Sequence, residues 1–114
     1  MNIQFTSIEK ITIANILIHM MNSDNDVDVK EVLYFNQIQN RIGMTDQEFR
    51  QGKEQNLLIS LAVIQSMTDY KKLLLGVMLH EMINADGKVD EKELELFNVV
   101  CKAGGIDTLM EKTK

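Results

Sequence analysis

Asn22-Ser23-Asp24-Asn25-Asp26-Val27-Asp28-Val29-Lys30-Glu31 returns 62 residues later as Asn84-Ala85-Asp86-Gly87-Lys88-Val89-Asp90-Glu91-Lys92-Glu93. Six of these ten positions are identical, and the match runs on in both directions. Residues 6–44 align with 68–106 without a gap, with 13 identities in 39 positions. Ordinary residue frequencies would give roughly two or three. Two copies are too few for a solenoid. A doubled helix–acidic turn–helix unit therefore predicts a single all-α domain over residues 1–114. Its expected form is a compact pseudo-twofold bundle of about six or seven helices.

Helix signals flank the turns. Thr6-Ser7-Ile8-Glu9 is a capping box, in which the Thr hydroxyl and the Glu carboxylate each satisfy a free backbone N–H. It predicts a helix from about Ser7 to Asn22, apolar on nearly every side from Ile11 onward and so central. Its counterpart from about Asp69 to Asn84 carries Leu73-Leu74-Leu75 and Val77-Met78-Leu79, and the same burial is expected of it. Asp28…Glu31 and Asp90…Glu93 are further capping boxes, opening helices with stripes at Val32, Phe35, Ile38, Ile42 and at Leu94, Phe97, Val100, Cys101. Gly43 and Gly104-Gly105 stand where helix ends use a positive φ. Between the copies, Thr45-Asp46-Gln47-Glu48 predicts a short helix ending near Gln51-Gly52. A second helix is expected over Asn56–Met67, and the tail after Asp107 reads as one more short helix.

The totals narrow the function. The 114 residues suffice for a core without disulfide or metal staples. There is no proline, and eight methionines suit irregular helical packing. Met20, Met21, Met78 and Met82 lie in apolar runs and are expected inside. The net charge of −5 does not attract phosphate backbones, and no basic stripe offsets it, so nucleic acid is not an expected partner. Cys101 is the one cysteine, which excludes an intrachain disulfide. Met1–Lys10 has no signal-peptide pattern, and the apolar run Ile11–Met21 is too short to span a bilayer. A cytoplasmic protein without membrane insertion is expected.

The turns are the candidate site. Asp24, Asp26, Asp28 and Glu31 in the first, with Asp86, Asp90 and Glu93 in the second, are candidate ligands for a weakly bound divalent cation. On EF-hand spacing, Asn84, Asp86, Gly87, Asp90 and Glu93 fall on loop positions 3, 5, 6, 9 and 12. A calcium loop takes its first ligand from position 1. Met20 and Met82 stand there, and neither can ligate Ca²⁺. Met82 also continues an apolar helical face, so the turn is too short for a calcium loop. Capping accounts for Asp28, Asp90, Glu31 and Glu93. It does not require Asp24, Asp26 or Asp86.

Other chemistry is thin. His80-Glu81-Met82-Ile83-Asn84 resembles the zinc-binding H-E-x-x-H helix but has Asn84 in place of the second His. His19 and His80 are not equivalent under the repeat and read as polar edges of buried helices. Cys101 has no basic neighbour to lower its pKa and reads as a packing thiol. No catalytic residue set emerges, and the chain is expected not to be an enzyme.

Met82–Leu94, with its weaker copy Asn22–Glu31, resembles the A-D-G-x-[VIL]-[DS]-x-x-E turn of the TerB-like (tellurite-resistance) domain family, over about Thr6 to Ile106. Such domains also stand at the N-terminus of some DnaJ-like membrane co-chaperones. The resemblance implies a bundle of about seven helices in a bacterial protein. It further implies a non-enzymatic interaction module linked to tellurite resistance or stress response, with a protein partner or self-association. The alternative function is divalent-cation binding through the turns. The family's acidic positions carry over onto Asp86, Asp90 and Glu93, then Asp24, Asp28 and Glu31. The first turn departs from the pattern, with Asn25 in place of Gly.

Overall fold

The computed structural model describes residues 4–22, 29–84, 91–107 and 109, and among these every regular element is helical. The helices are α1 (Ser7–Met21), α2 (Val29–Ile42), α3 (Asp46–Glu54), α4 (Leu57–Ser66), α5 (Asp69–Ile83) and α6 (Glu91–Gly104). Their starts follow the side chains that can take a free N–H. Thr6 and Thr45 form complete capping boxes with Glu9 and Glu48. The Asn56 carboxamide accepts from the Leu58 N–H at 2.7 Å, and the Thr68 hydroxyl accepts from that of Lys71 at 3.3 Å. The expected caps Asp28 and Asp90 lie outside the described residues, and α2 and α6 begin at the residues that follow them. Of the tail beyond Asp107, only Leu109 is described, and it is helical.

The repeat is carried by the backbone. Moving α1 and α2 along by 62 gives the bounds of α5 and α6 without adjustment. The cap at Asn22 has φ −94° and ψ 2°, and that at Asn84 has φ −94° and ψ 4°. Gly43 and Gly105 end the second helix of each copy at φ 70° and 79°, which L side chains adopt only with strain. The copies interlock: α1 packs on α6 as α5 packs on α2. Glu9 and Lys71, one position in two copies, meet at 2.7 Å. Residues that touch their own counterparts lie on the axis relating the copies, so this ion pair marks a pseudo-twofold axis. Lys10 Nζ reaches the Gly43 carbonyl at 3.3 Å. Lys72 stands at the same place beside Gly105, so each copy sets a cation at the negative end of its own second helix.

One core results. Ile13, Ile16, Leu17 and Met20 of α1 and their counterparts Leu75, Met78, Leu79 and Met82 are all 2% exposed or less. Phe35, Ile38, Ile64, Val100 and Ile106 join them. The radius of gyration, 13.0 Å, is what one globule of this length should have, about 13 Å. Met20 and Met82 are helical and fully buried, which is the physical reason that an EF-hand loop cannot begin there.

The copies differ in what covers them. In α1 every residue from Thr12 to Leu17 is buried, because α3 and α4 close its outer side. Gly52 does not end α3 but sits within it, at the crossing with α1. A Cβ there would lie 2.6 Å from Ala14 Cβ and 3.0 Å from the Ile11 carbonyl oxygen, so the bare backbone allows the approach. Asn15, also buried, ties the α3–α4 corner to α1. Its amide donates to the carbonyls of Gly52 and Gln55, each at 2.8 Å, and its oxygen accepts from Ser60 Oγ at 2.6 Å. These bonds satisfy carbonyls that the end of α3 leaves open. On the other side, α4 lies against α1 and α6. Helix α5 corrects the expectation of equal burial. Nothing described caps its outer side, so Val77 is 49% exposed and Leu74 half-buried where their counterparts Asn15 and Thr12 are buried.

Candidate functional site

Of the seven candidate cation ligands, Asp24, Asp26, Asp28, Asp86 and Asp90 lie outside the described residues. Glu31 and Glu93 are described, and they are 2% and 4% exposed. They belong to a pattern. Glu9, Glu31, Glu48 and Glu93 are the buried glutamates among the described residues, and each is the third residue of its helix. In α1 and α3 that position returns the carboxylate to the cap N–H at 2.8 Å. The helix dipole favours an anion there. Burial raises the pKa of Glu9, but the Lys71 ammonium and the Thr6 N–H outweigh it and hold the carboxyl below its ordinary range. Burial likewise opposes Glu48, and the Thr45 N–H, the Ser7 hydroxyl and Lys10 likewise prevail. Among the described residues, no three His, Cys, Asp or Glu side chains gather as a metal ion would require.

The remaining polar candidates are built into the packing. Asn84, in the place of a second zinc-binding His, turns its amide back to the His80 carbonyl at 2.9 Å and closes α5. His80 is exposed, its ring tilted toward Phe97 at 6.3 Å. Cys101 is buried. Desolvation, with Asp107 adding to it, pushes its thiol up to about 11, so little thiolate exists at neutral pH.

A site the sequence did not announce lies between α2 and α5. Tyr34 of α2 donates its hydroxyl to the Glu81 carboxylate near the end of α5. Burial first, and then that carboxylate, hold the phenol well above its ordinary pKa. An open cleft of 690 Å³ is lined by the C-terminal end of α2, the first half of α5 and residues at and before the start of α1. Phe5, Leu74 and Met78 make its apolar floor, and Lys10, Arg41 and Tyr70 stand around it with Gln4 and Asn40. Two cations and no carboxylate line it, although the chain as a whole is acidic. Lys10 also bonds Gly43 and lies 3.7 Å from Glu48. Arg41 is exposed. The arrangement offers an apolar bed with a positive rim. The signal that could have found it is the repeat itself: Leu74 is apolar at the place of the buried Thr12.

Val32 and Leu94, equivalent positions expected in the buried stripes, are both 40% exposed. Among the described residues, no helix is long and apolar enough to cross a membrane.

No family model matches the chain, and no curated protein does. A crystallised protein of unknown function from Porphyromonas gingivalis W83 has a similar structure, with a TM-score of 0.77 at 20% sequence identity, over 90% of this chain and 88% of that one. The likeness establishes that the all-helical fold is shared.

Proposed function

We propose that this chain is a non-enzymatic interaction module of the TerB-like kind that holds a protein partner in the cleft between α2 and α5. One observation supports it above the others: Thr12 and Asn15 of α1 are buried under α3 and α4, while their counterparts on α5, Leu74 and Val77, are half-buried and 49% exposed. Burying large apolar side chains of this kind is worth about 1.5–3 kcal/mol each when complete, enough to drive association at a shaped cleft. A photo-crosslinking amino acid in place of Tyr70, in living bacteria, tests this. A discrete adduct is expected, absent when the same group replaces the still more exposed Leu58 on α4. Equal adducts at both positions, or none at either, count against it. A deletion strain with unchanged survival on tellurite and oxidants would remove the link to stress response.

Divalent-cation binding at the two turns is a separate proposal, supported by the acidic spacing alone. Calorimetric titration of chelator-stripped protein with Ca²⁺, Mg²⁺, Mn²⁺ and Zn²⁺ tests it. Absence of heat and of a thermal shift at millimolar ion ends it.

A further inference from the structure

We propose that the outer face of α4 is a self-association surface, on which a second copy of this chain packs its own α4 across a twofold axis. The proposal is independent of the cleft and of what the cleft holds. Helix α4 contains no Asp, Glu, Lys or Arg, whereas every other helix among the described residues has at least two. Its polarity also runs the wrong way for a surface helix. Ser60 and Ile64 are its buried residues, and the Ser60 hydroxyl bonds Asn15 and Gln55 inside. Leu58 is 74% exposed, more than any other large apolar side chain among the described residues, and Ile59 is 54% exposed. Both stand one turn before Ala62, which is exposed as well, so the three share one face. Ala62 is small enough to let a second helix come close. The polar side chains at the end of this face are already engaged within the chain. Gln65 Nε2 donates to the Ala103 carbonyl at 2.6 Å, and Ser66 Oγ donates to that of Val63 at 2.7 Å. Apolar residues scattered over a surface are ordinary, but an uncharged contiguous face is the mark of a contact.

The lack of charge selects the occupant. A twofold contact sets one patch against itself, so the patch must be self-complementary. A charged helix face would meet its own sign there; α4 brings none. It equally offers nothing to draw a charged partner. An anionic membrane holds an apolar helix through cations on its polar face, and α4 has no cation on a chain of net charge −5. Antiparallel packing further sets the Asn56-capped start of one α4 beside the end of the other, where the helix dipoles attract. A helix of 10 residues is about 15 Å long, so the contact falls below the roughly 800 Å² per partner of a stable complex. The dimer is therefore reversible, with a Kd on the order of 10⁻⁴ M.

Sedimentation equilibrium of the full chain, from about 10 μM to about 1 mM, tests this. The average mass is expected to climb with concentration from the monomer's 13.1 kDa toward twice that. Leu58→Glu should raise Kd about tenfold or more, because the twofold brings both carboxylates into one apolar contact. Ile59→Gln should weaken the dimer too, and Tyr70→Glu at the cleft should leave it unchanged. All three positions are exposed, so the variants should keep the parent's melting curve, which is recorded alongside. A chain that stays monomeric at millimolar concentration overturns the proposal, as does a dimer that Leu58→Glu leaves intact. A dimer lost with Tyr70→Glu but kept with Leu58→Glu overturns it by placing the contact at the cleft. Flotation of a monomeric chain with phosphatidylglycerol vesicles, abolished by Leu58→Glu, overturns it in favour of a lipid surface. A photo-crosslinker at Leu58 in the concentrated purified protein should give a homodimer adduct. Its identity separates it from a partner adduct at Tyr70, so either proposal can fail without the other.

Discussion

Replacing Asn15 with valine, the residue its own counterpart Val77 carries, should cost the fold dearly. At position 77 the side chain is half exposed and meets no corner. At position 15 it is 1% exposed and holds three hydrogen bonds. Valine would strand the Gly52 and Gln55 carbonyls at the end of α3 and remove one of the partners of the Ser60 hydroxyl. A buried polar group left unsatisfied costs about 1–3 kcal/mol, and valine recovers roughly 1 kcal/mol by its apolar surface. Because Ser60 keeps the Gln55 amide at 2.8 Å, the net loss should be about 3 kcal/mol. For a chain of this size that lowers Tm by about 10–15 °C. Urea melts followed by circular dichroism at constant m would measure it. Ser60→Ala should cost less on its own, and the double variant should fall short of the sum by about 1 kcal/mol. A loss under about 1 kcal/mol for Asn15→Val, or strict additivity with Ser60→Ala, would refute the account of the corner.

Gly52→Ala should destabilise by about 1–3 kcal/mol despite alanine's better helix propensity, because its Cβ meets α1 backbone as well as Ala14; thermal melts would show it. Glu9→Lys with Lys71→Glu should be nearly neutral together, although Glu9→Lys alone is not: the pair swaps ends, and Glu at position 71 completes a capping box with Thr68. A four-variant denaturation cycle would give a coupling of about 1 kcal/mol or more. The lowered pKa values of Glu9 and Glu48 place their stabilising contribution above the unfolded carboxyl range. It is lost as pH falls from about 4.5 through their folded values, and Glu9→Gln with Glu48→Gln should flatten that acid limb of stability against pH. Cys101, with its thiol up at about 11, should resist iodoacetamide at pH 8 in the native protein and react at the rate of unfolding, as quenched-flow mass analysis would show.

How far the sequence could be followed depends on where each signal is local. Caps are local, so Thr6 and Thr45 marked the starts of α1 and α3 to within a residue. The duplication is a comparison of the chain with itself, and it predicted α5 and α6 from α1 and α2. Gly52 misled because a glycine near the end of a short helix looks like a terminator. Only the packing of α1 against it reveals a crossing point. The burial of α5 was overestimated for a related reason: its apolar sequence resembles that of α1, but burial is decided by which neighbours the chain brings, and α3 and α4 both go to α1. The cleft was hidden because its rim and floor come from residues 4–10, 40–43 and 70–78, which no short window contains. The acidic turns stood out in sequence for composition, yet of their candidates Glu31 and Glu93 take the place that Glu9 and Glu48 hold in helices with no acidic turn.

The ion pair between Glu9 and Lys71 sits where two equivalent positions face one another. In an assembly of two identical half-length chains such a position would confront itself, carboxylate against carboxylate or ammonium against ammonium, and could never be complementary. Joining the halves in one polypeptide frees each side of the axis to diverge. The charge pair is thus something only the continuous chain can have, and a half-chain expressed alone would carry a repulsion built into its own dimer.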